Sequence, residues 1–133
     1  MNNVIISGKR KQAVARAVVT KGKGNISVNG KNLEVQSPYL AKMKMKEPLL
    51  LAGEKYTKGV DIAVTIKGGS VMSQADAGRL AIAKGLVAFH KADDLEKIFL
   101  QYDRNMLVAD VRRKEICKPN DSKARAKRQK SYR

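Results

Sequence analysis

The chain has 133 residues, and its 28 Lys and Arg residues against 12 Asp and Glu give a formal net charge of +16. A charge of this size requires a polyanionic partner, and it favours nucleic acid over an anionic membrane surface. The lone cysteine excludes an internal disulfide and a multi-cysteine zinc site, and we find neither an apolar run of roughly 20 residues nor a signal-peptide core. We therefore expect a cytoplasmic protein with one domain of about a hundred residues and a tail.

The positive charge is concentrated at the two ends of the chain. Residues 1–24 carry six basic and no acidic side chains, and residues 112–133 carry ten basic and two acidic ones. The C-terminal stretch has too few large apolar side chains to recover the entropy lost on ordering, and its charges repel one another. The sequence therefore predicts a globular nucleic-acid-binding domain over residues 1–111 and an extended basic tail over residues 112–133.

Two strands are predicted near the N-terminus. Val4 to Ile6 can begin a strand, which Ser7 and Gly8 can turn or bulge. In the second strand, residues 9–20, β-branched side chains alternate with alanine, and Arg16 interrupts the apolar pattern. Arg16 is expected to project toward a phosphate or a carboxylate. The alternative is an exposed arginine on an edge strand, where it would only limit aggregation.

Three further strands follow from the pattern of the chain. The flexible basic turn Lys21 to Gly24 leads into residues 25–29, and the two flanking strands are predicted to form a β-hairpin that ends at Asn29-Gly30. Residues 60–67 alternate cleanly and give the clearest strand, and residues 106–111 are predicted as a last short strand. The one-sided pattern indicates a half-covered, largely antiparallel sheet.

The helices are predicted from apolar spacing and from residues that favour helix ends. Ser37 is expected to cap a first helix that Pro48 breaks or restarts. Ser73 is expected to cap a long helix with Asp76 as its capping partner, and Asp93 with Glu96 repeats that pattern for a further helix. The buried stripe of the long helix is expected to include Leu80, Ile82, Ala83, Leu86, Val87 and Phe89, with Gly78, Ala81 and Gly85 permitting a close approach to the sheet or to RNA.

The glycine-rich turn at residues 67–70 could hold a phosphate with backbone N–H groups at a helix N-terminus. It lacks the spacing of a Walker A loop. A turn that requires glycine, a contact with an RNA backbone and a nucleotide pocket remain open as explanations. Elsewhere the sequence offers no metal-ligand cluster and no catalytic constellation, since Asp93 and Asp94 suit helix capping and Cys117 is far from His90 in sequence. We therefore expect no enzyme activity, no metal and no cofactor.

Several of these segments together resemble the family of the ninth small-subunit ribosomal protein. The matching segments span nearly the whole chain and comprise residues 7–17, Val28-Asn29-Gly30, residues 68–75, residues 81–83, residues 110–115 and residues 128–133. The resemblance implies an α+β fold, with a four-stranded, mainly antiparallel sheet packed by helices as in the second domain of ribosomal protein five. The Ser-Tyr-Arg ending looks like the archaeal and eukaryotic branch.

The resemblance also implies a role and a set of binding residues. It implies a structural protein in the head of the small subunit, with ribosomal RNA and neighbouring head proteins as partners and a tail directed toward peptidyl-site tRNA. A free RNA-binding or RNA-chaperone module and a small nucleotide-using enzyme remain the alternatives. The expected tRNA contacts are Lys130, Ser131, Tyr132 and Arg133. The expected ribosomal RNA contacts are Lys9, Arg10, Lys11, Arg16, Lys21, Lys23, Lys67, Gly68, Gly69, Ser70, Arg112, Arg113, Lys114, Lys118, Lys123, Arg125, Lys127 and Arg128.

Overall fold

Alternating burial along the strands places helices on one face of a single sheet. The computed structural model describes residues 3–120, 123–127 and 130–132. The strands are β1 (Val4–Arg10), β2 (Ala13–Lys21), β3 (Ile26–Val28), β4 (Lys31–Asn32) and β5 (Val60–Lys67). The helices are α1 (Tyr39–Ala52), α2 (Glu54–Thr57), α3 (Val71–His90) and α4 (Asp93–Tyr102), with short 3₁₀ helices at Leu33–Val35 and Arg104–Met106. The predicted α+β class is confirmed.

The sheet has five strands, not four, in the order β1-β2-β5-β3-β4. All neighbours are antiparallel except β3 and β5, which run parallel. The predicted hairpin across residues 21–24 is wrong, because β5 lies between β2 and β3. Ile62 of β5 pairs with Val19 on one side and with Ile26 on the other. The loop between β2 and β3 therefore crosses the end of β5.

The first two strands form a hairpin whose turn lies later than predicted. The chain stays extended through Ser7 and Gly8, and the two-residue turn is Lys11-Gln12. Gly8 serves another purpose, since a Cβ atom there would lie 2.4 Å from the carbonyl oxygen of Ala77 in α3. Glycine lets α3 approach β1 closely.

The core lies between the sheet and α3. Ala13, Ala15, Ala17 and Val19 of β2 are completely buried, as are the side chains of Leu86 and Phe99. A Cβ atom at Gly85 would lie 2.7 Å from Cγ2 of Val19, so the predicted close approach of this helix to the sheet is confirmed.

The predicted helix ends are wrong at three places. Helix α3 begins at Val71, and its cap is Ser70, whose hydroxyl accepts a hydrogen bond from the N–H of Ser73. Pro38 precedes α1, so Ser37 is not the cap, and Ala92 precedes α4 without a side-chain cap. At α3 the cap differs from the predicted one because Ser70 and Ser73 are neighbouring capping residues and the direction of the entering chain decides which one serves.

Two further predictions about element boundaries are wrong. Helix α1 continues through Pro48, which is buried on the same side as Met45 and Ala52, so packing on the core compensates for the missing N–H. Residues 106–111 form no strand. Asp103 accepts hydrogen bonds from the N–H groups of Asn105 and Met106, and the carbonyl of Arg104 accepts them from Leu107 and Val108, so the chain turns where the strand was predicted to begin. Among the helices of the described residues, none is long and apolar enough to cross a bilayer.

Candidate nucleic-acid interface

At one end of the sheet the glycine-rich turn, residues 67–70, lies against the β1–β2 turn. Gly68 and Gly69 both have positive φ, and a Cβ atom at Gly69 would lie 2.9 Å from both Cβ and N of Ala13. At Gly68 a Cβ atom would lie 2.8 Å from the carbonyl oxygen of Gln12. The turn therefore requires glycine for packing, because it lies directly against the β1–β2 turn. This contact places Lys11 beside the N-terminus of α3.

The open face of the sheet adds three basic side chains to this end. Lys9 on β1, Val14 on β2 and Lys67 on β5 are cross-strand neighbours in one row. Arg16 lies two residues after Val14 on β2, so its side chain is on the same face in the adjacent row. Side chains in such a row are roughly 5 Å from their neighbours. Because β2 has β1 on one side and β5 on the other, Arg16 is not on an edge strand, and the alternative of an edge arginine that limits aggregation is wrong.

A groove of about 690 Å³ runs between the β1–β2 turn, the start of α3 and the beginning of the tail. Its lining includes Lys11, Gly69, Ser70, Arg113 and Lys114, which were predicted, and Gln12 and Ser73, which were not. The first turn of a helix has N–H groups without intrahelical partners, and these favour an anion. The groove therefore combines cationic side chains with a helix N-terminus.

We call six residues of this end the basic surface: Lys9, Lys11, Arg16, Lys67, Arg113 and Lys114. Within the part of the chain that the structure describes, none of the six forms an ion pair with a carboxylate. Four of them, Lys9, Lys11, Arg16 and Lys67, lie on β1, β2, β5 and the β1–β2 turn, and Arg113 and Lys114 line the adjoining groove. Their charges are therefore close together and available to an external polyanion.

Arg10 has a different environment from its neighbours in sequence. Its Nη1 lies 3.1 Å from Oδ2 of Asp110, its Nε lies 3.8 Å from Oδ2 of Asp76, and its side chain is only 18% exposed. Arg112 also binds Asp110, with 2.7 Å between Nη2 and Oδ2. The side-chain and backbone hydrogen bonds from Arg112 hold the pKa of Asp110 well below its usual range. Arg10 therefore joins β1 to α3 and to the residues that precede the tail.

Lys21 and Lys23 lie at the opposite end of the sheet from the basic surface. Strand β2 has nine residues, so its ends are roughly 26 Å apart at about 3.3 Å per residue. The carboxylate of Asp61 accepts hydrogen bonds of 2.8, 2.9 and 2.8 Å from the N–H groups of Lys23, Gly24 and Asn25. These bonds lower the pKa of Asp61 and fix the loop that carries both lysines. The sequence reasoning missed this role of Asp61.

The tail beyond Lys114 is exposed wherever the structure describes its basic residues. Arg125 binds Glu115 through Nε at 2.9 Å and through a second nitrogen, which raises the pKa of Arg125. Ser131 is exposed, and Tyr132 is 86% exposed. Arg128 and Arg133 lie outside the described residues. The predicted basic residues of the tail that are described as exposed are Lys118, Lys123, Arg125, Lys127 and Lys130.

The described residues offer no alternative site for a metal. Within residues 3–120, 123–127 and 130–132, no group of three or more His, Cys, Asp or Glu side chains could hold an ion. His90 contacts the carbonyl oxygen of Tyr56 through Nε2 at 2.9 Å and packs edge-on against Tyr56 and Phe89. Cys117 is an exposed free thiol.

Comparison with known proteins gives one consistent result. Residues 8–133 match the family described as ribosomal protein S9/S16. A small ribosomal subunit protein uS9 from Thermoplasma volcanium is 53% identical over 133 residues, which is 100% of both chains. Proteins of the same name are 48% identical over 128 residues in Methanococcus maripaludis, with 95% of each chain covered, and 49% identical over 130 residues in Pyrobaculum aerophilum, with 98% of this chain and 91% of the relative covered.

Proposed function

The chain belongs to the ribosomal protein S9/S16 family, and we propose that it binds small-subunit ribosomal RNA through the basic surface and its tail. As a member of this family it is a structural, non-enzymatic component of the small ribosomal subunit, and it is located with the ribosome in the cytoplasm. The observation that carries the proposal is that the cations of the chain fall into two groups, those with and those without a carboxylate partner. Those of the basic surface lack carboxylate partners among the described residues, whereas Arg10, Arg79 and Arg112 have them.

The geometry suits a phosphate backbone better than a single small ligand. The cations extend from the open face of the sheet, around the β1–β2 turn and into the groove at the start of α3. Both the face and the groove are open to solvent, and arginine and lysine here can donate to several phosphates of one strand. Contacts of this kind position the protein on folded RNA without reading its sequence.

The proposal extends to the tail. Its described basic residues are exposed, and an irregular chain can enter RNA where a helix would not fit. We propose that Lys118, Lys123, Arg125, Lys127 and Arg128 bind ribosomal RNA and that the last residues, Lys130 to Arg133, approach peptidyl-site tRNA. Positive charge at the end of the tail would attract the tRNA backbone irrespective of the anticodon, as a protein that serves every tRNA requires. The division into a domain over residues 1–111 and a tail over residues 112–133 belongs to the same proposal.

The salt dependence of RNA binding tests the basic surface. The test variant carries Lys9→Gln, Arg16→Gln and Lys67→Gln, and its matched control carries Lys31→Gln, Lys91→Gln and Lys97→Gln. Each variant loses three positive charges from exposed positions, so the change in net charge is the same. Each lost phosphate contact lowers the slope of log K against log salt by roughly 0.7 to 0.9. We therefore expect the slope of the test variant to fall by about 2 to 3 with small-subunit ribosomal RNA.

The control variant decides how that result is interpreted. Lys31 lies on the edge strand β4, Lys91 follows the C-terminus of α3, and Lys97 is on α4. If specific contacts matter, the control slope should change by less than about 1. Equal losses in both variants would mean that only net charge is involved, and the basic surface would not be the binding site.

A further inference from the structure

The loop between β2 and β3 carries two cations that the basic surface does not include. We call residues 21–25 the β2–β3 loop. Lys21 and Lys23 are exposed, and within the described residues neither forms an ion pair with a carboxylate. The nine residues of β2 separate this loop from the basic surface by roughly 26 Å at about 3.3 Å per residue. Cations that far apart cannot contact the same phosphate.

The backbone of the β2–β3 loop is held in one conformation by Asp61. Its Oδ1 accepts hydrogen bonds of 2.8, 2.9 and 2.8 Å from the N–H groups of Lys23, Gly24 and Asn25. A Cβ atom at Gly22 would lie 2.1 Å from Cγ of Asp61, so glycine lets the loop close around this carboxylate. The carboxylate is engaged by three backbone donors, and the lysine side chains extend from a fixed backbone. Less ordering is then needed when a ligand binds.

A third cation lies beside the β2–β3 loop. The loop contacts α2, since a Cβ atom at Gly24 would lie 3.5 Å from the carbonyl oxygen of Thr57. On that helix Lys55 is exposed and has no carboxylate partner among the described residues, whereas Lys58, which follows the helix, binds Glu54. This end of the sheet therefore has its own small group of lysines that are available to an external anion.

The open face of the sheet offers no continuous path for one phosphate strand between the two groups of cations. Beyond Arg16 the next row across the sheet is apolar, because Ile5, Val18 and Ala63 are cross-strand neighbours, and Ile5 is 64% exposed. The row after that contains Asp61. A phosphate backbone that followed this face would cross the apolar row and then approach a carboxylate. Two separate segments are therefore favoured over one continuous strand.

The composition of the β2–β3 loop suits a phosphate backbone better than a protein partner. Residues 21–25 are lysine, glycine and asparagine, without a large apolar side chain. Protein interfaces are centred on buried aromatic or aliphatic anchors, whereas a phosphate backbone requires only donors and positive charge. Lysine supplies a mobile point charge that adjusts to the positions of the phosphates.

We propose that the β2–β3 loop binds a second segment of ribosomal RNA, so that the folded domain joins two separate RNA segments, one at each end of its sheet. This inference rests on the proposed function, which assigns the first segment to the basic surface. Lys21 and Lys23 donate to phosphates of the second segment, and Lys55 adds a contact from α2. The domain then stabilises the arrangement of two RNA segments in addition to binding each of them.

Photo-crosslinking in assembled small subunits tests whether the two ends contact different RNA. A photoreactive amino acid replaces Asn25 in one full-length chain and Val14 in another, and the cross-linked nucleotides are mapped by primer extension. Both positions are exposed and uncharged, and Val14 lies between Lys9 and Lys67 in the basic surface. We expect cross-links from the two positions to two different stems of the RNA.

Filter binding of the full-length chain to the RNA stem that cross-links to position 25 tests the lysines. The test variant carries Lys21→Gln and Lys23→Gln, and its matched control carries Lys31→Gln and Lys97→Gln, so each loses two positive charges from exposed positions. Each lost phosphate contact lowers the slope of log K against log salt by roughly 0.7 to 0.9, so the slope of the test variant should fall by about 1.4 to 1.8. The slope of the control should match that of the unmodified chain.

Three results would overturn the inference: cross-links from both positions to one stem, a cross-link from position 25 to a protein or to nothing, and equal slopes in the two variants. Cross-links from position 14 to RNA would in each case leave the proposed function intact, whereas their absence would overturn both. The cross-links are read with Lys21 and Lys23 unchanged, so they do not depend on how the variants fold.

Discussion

The contact between the glycine turn and the β1–β2 turn gives the sharpest prediction about how the basic surface is built. Gly69 has a φ of +72°, and a Cβ atom there would lie 2.9 Å from Cβ and N of Ala13. Gly30 is the matched control, since its φ is +79° and a Cβ atom there would find nothing within 4 Å. Both substitutions to alanine cause similar backbone strain, but only Gly69→Ala adds an overlap.

The expected magnitudes follow from these two effects. Holding a non-glycine residue in a left-handed conformation costs about 1 to 2 kcal/mol, so Gly30→Ala should lower the free energy of unfolding by about that amount. Overpacking against a rigid neighbour adds about 1 to 3 kcal/mol. Because Ala13 belongs to a buried strand and cannot move freely, Gly69→Ala should cost about 2 to 5 kcal/mol. A gap of about 2 kcal/mol between the variants corresponds to roughly 8 to 16 °C in melting temperature.

Urea unfolding of the free chain, followed by far-ultraviolet circular dichroism, measures both values. An unchanged dependence of the unfolding free energy on urea would show that the two variants unfold from the same compact state. If Gly69→Ala costs no more than Gly30→Ala, the two turns are not packed as described. The alignment of Lys11 with the start of α3 would then have no structural basis.

Three further predictions concern the loop of Lys21 and Lys23, the anchor of the tail and the tail itself. The N–H groups of Asn25 and Lys23 lower the pKa of Asp61 in the folded chain. The ionised carboxylate therefore stabilises the fold fully above the unfolded pKa of about 3.9. This stabilisation is lost as the pH falls through the lower folded pKa. Asp61→Asn should therefore be less stable than the unmodified chain at pH 6, with a gap that closes toward pH 3 in urea unfolding, whereas a constant gap would contradict the role of the charge. Arg10→Gln should lower the free energy of unfolding by about 1 to 2 kcal/mol, because a half-buried ion pair lies between the exposed and buried extremes. It should also speed hydrogen exchange at residues 107–110, whereas Arg10→Lys should restore part of both effects. Unchanged exchange would mean that Arg10 does not anchor the tail. Deleting Lys130 to Arg133 should leave subunit assembly intact and weaken retention of peptidyl-site tRNA in a filter-binding assay, and unchanged retention would remove the tail end from the proposal.

The periodic parts of the fold could be predicted from the sequence, because each pattern reports on its own segment. Strand β5 alternates along its whole length, and the apolar stripe of α3 repeats over several turns. The helix starts could not be predicted as well. Ser70 and Ser73 are both good capping residues, and the direction of the chain at Gly69 determines which one serves. Residues 106–111 contain enough apolar side chains for a strand, yet hydrogen bonds to Asp103 fold them differently.

The strand order and the composition of the basic surface depend on contacts that sequence spacing does not contain. Lys9 and Lys67 are 58 positions apart in the numbering. The β1–β2 hairpin pairs Lys9 with Val14, and the insertion of β5 beside β2 adds Lys67 to the same row. The glycines of the turn suggested a phosphate site, but the structure gives them a packing role against Gln12 and Ala13. Local patterns thus predicted the class of the fold and the presence of a basic region, while register and topology determined which residues meet.

The positions of the acidic residues decide which cations remain available to RNA. Asp76 and Asp110 bind Arg10, while Glu47 and Asp103 bind Arg79, so the cations near α1 and the start of the tail stabilise the domain. Four members of the basic surface, Lys9, Lys11, Arg16 and Lys67, lie in segments without acids, because residues 1–24 contain none and residues 62–75 contain none either. Neighbours in one basic run therefore differ in environment, since Arg10 is paired with two carboxylates and Lys11 with none among the described residues. At the end of the sheet from which the tail departs, the cations of the basic surface have no carboxylate partner among the described residues, and these are the cations that the proposed function uses.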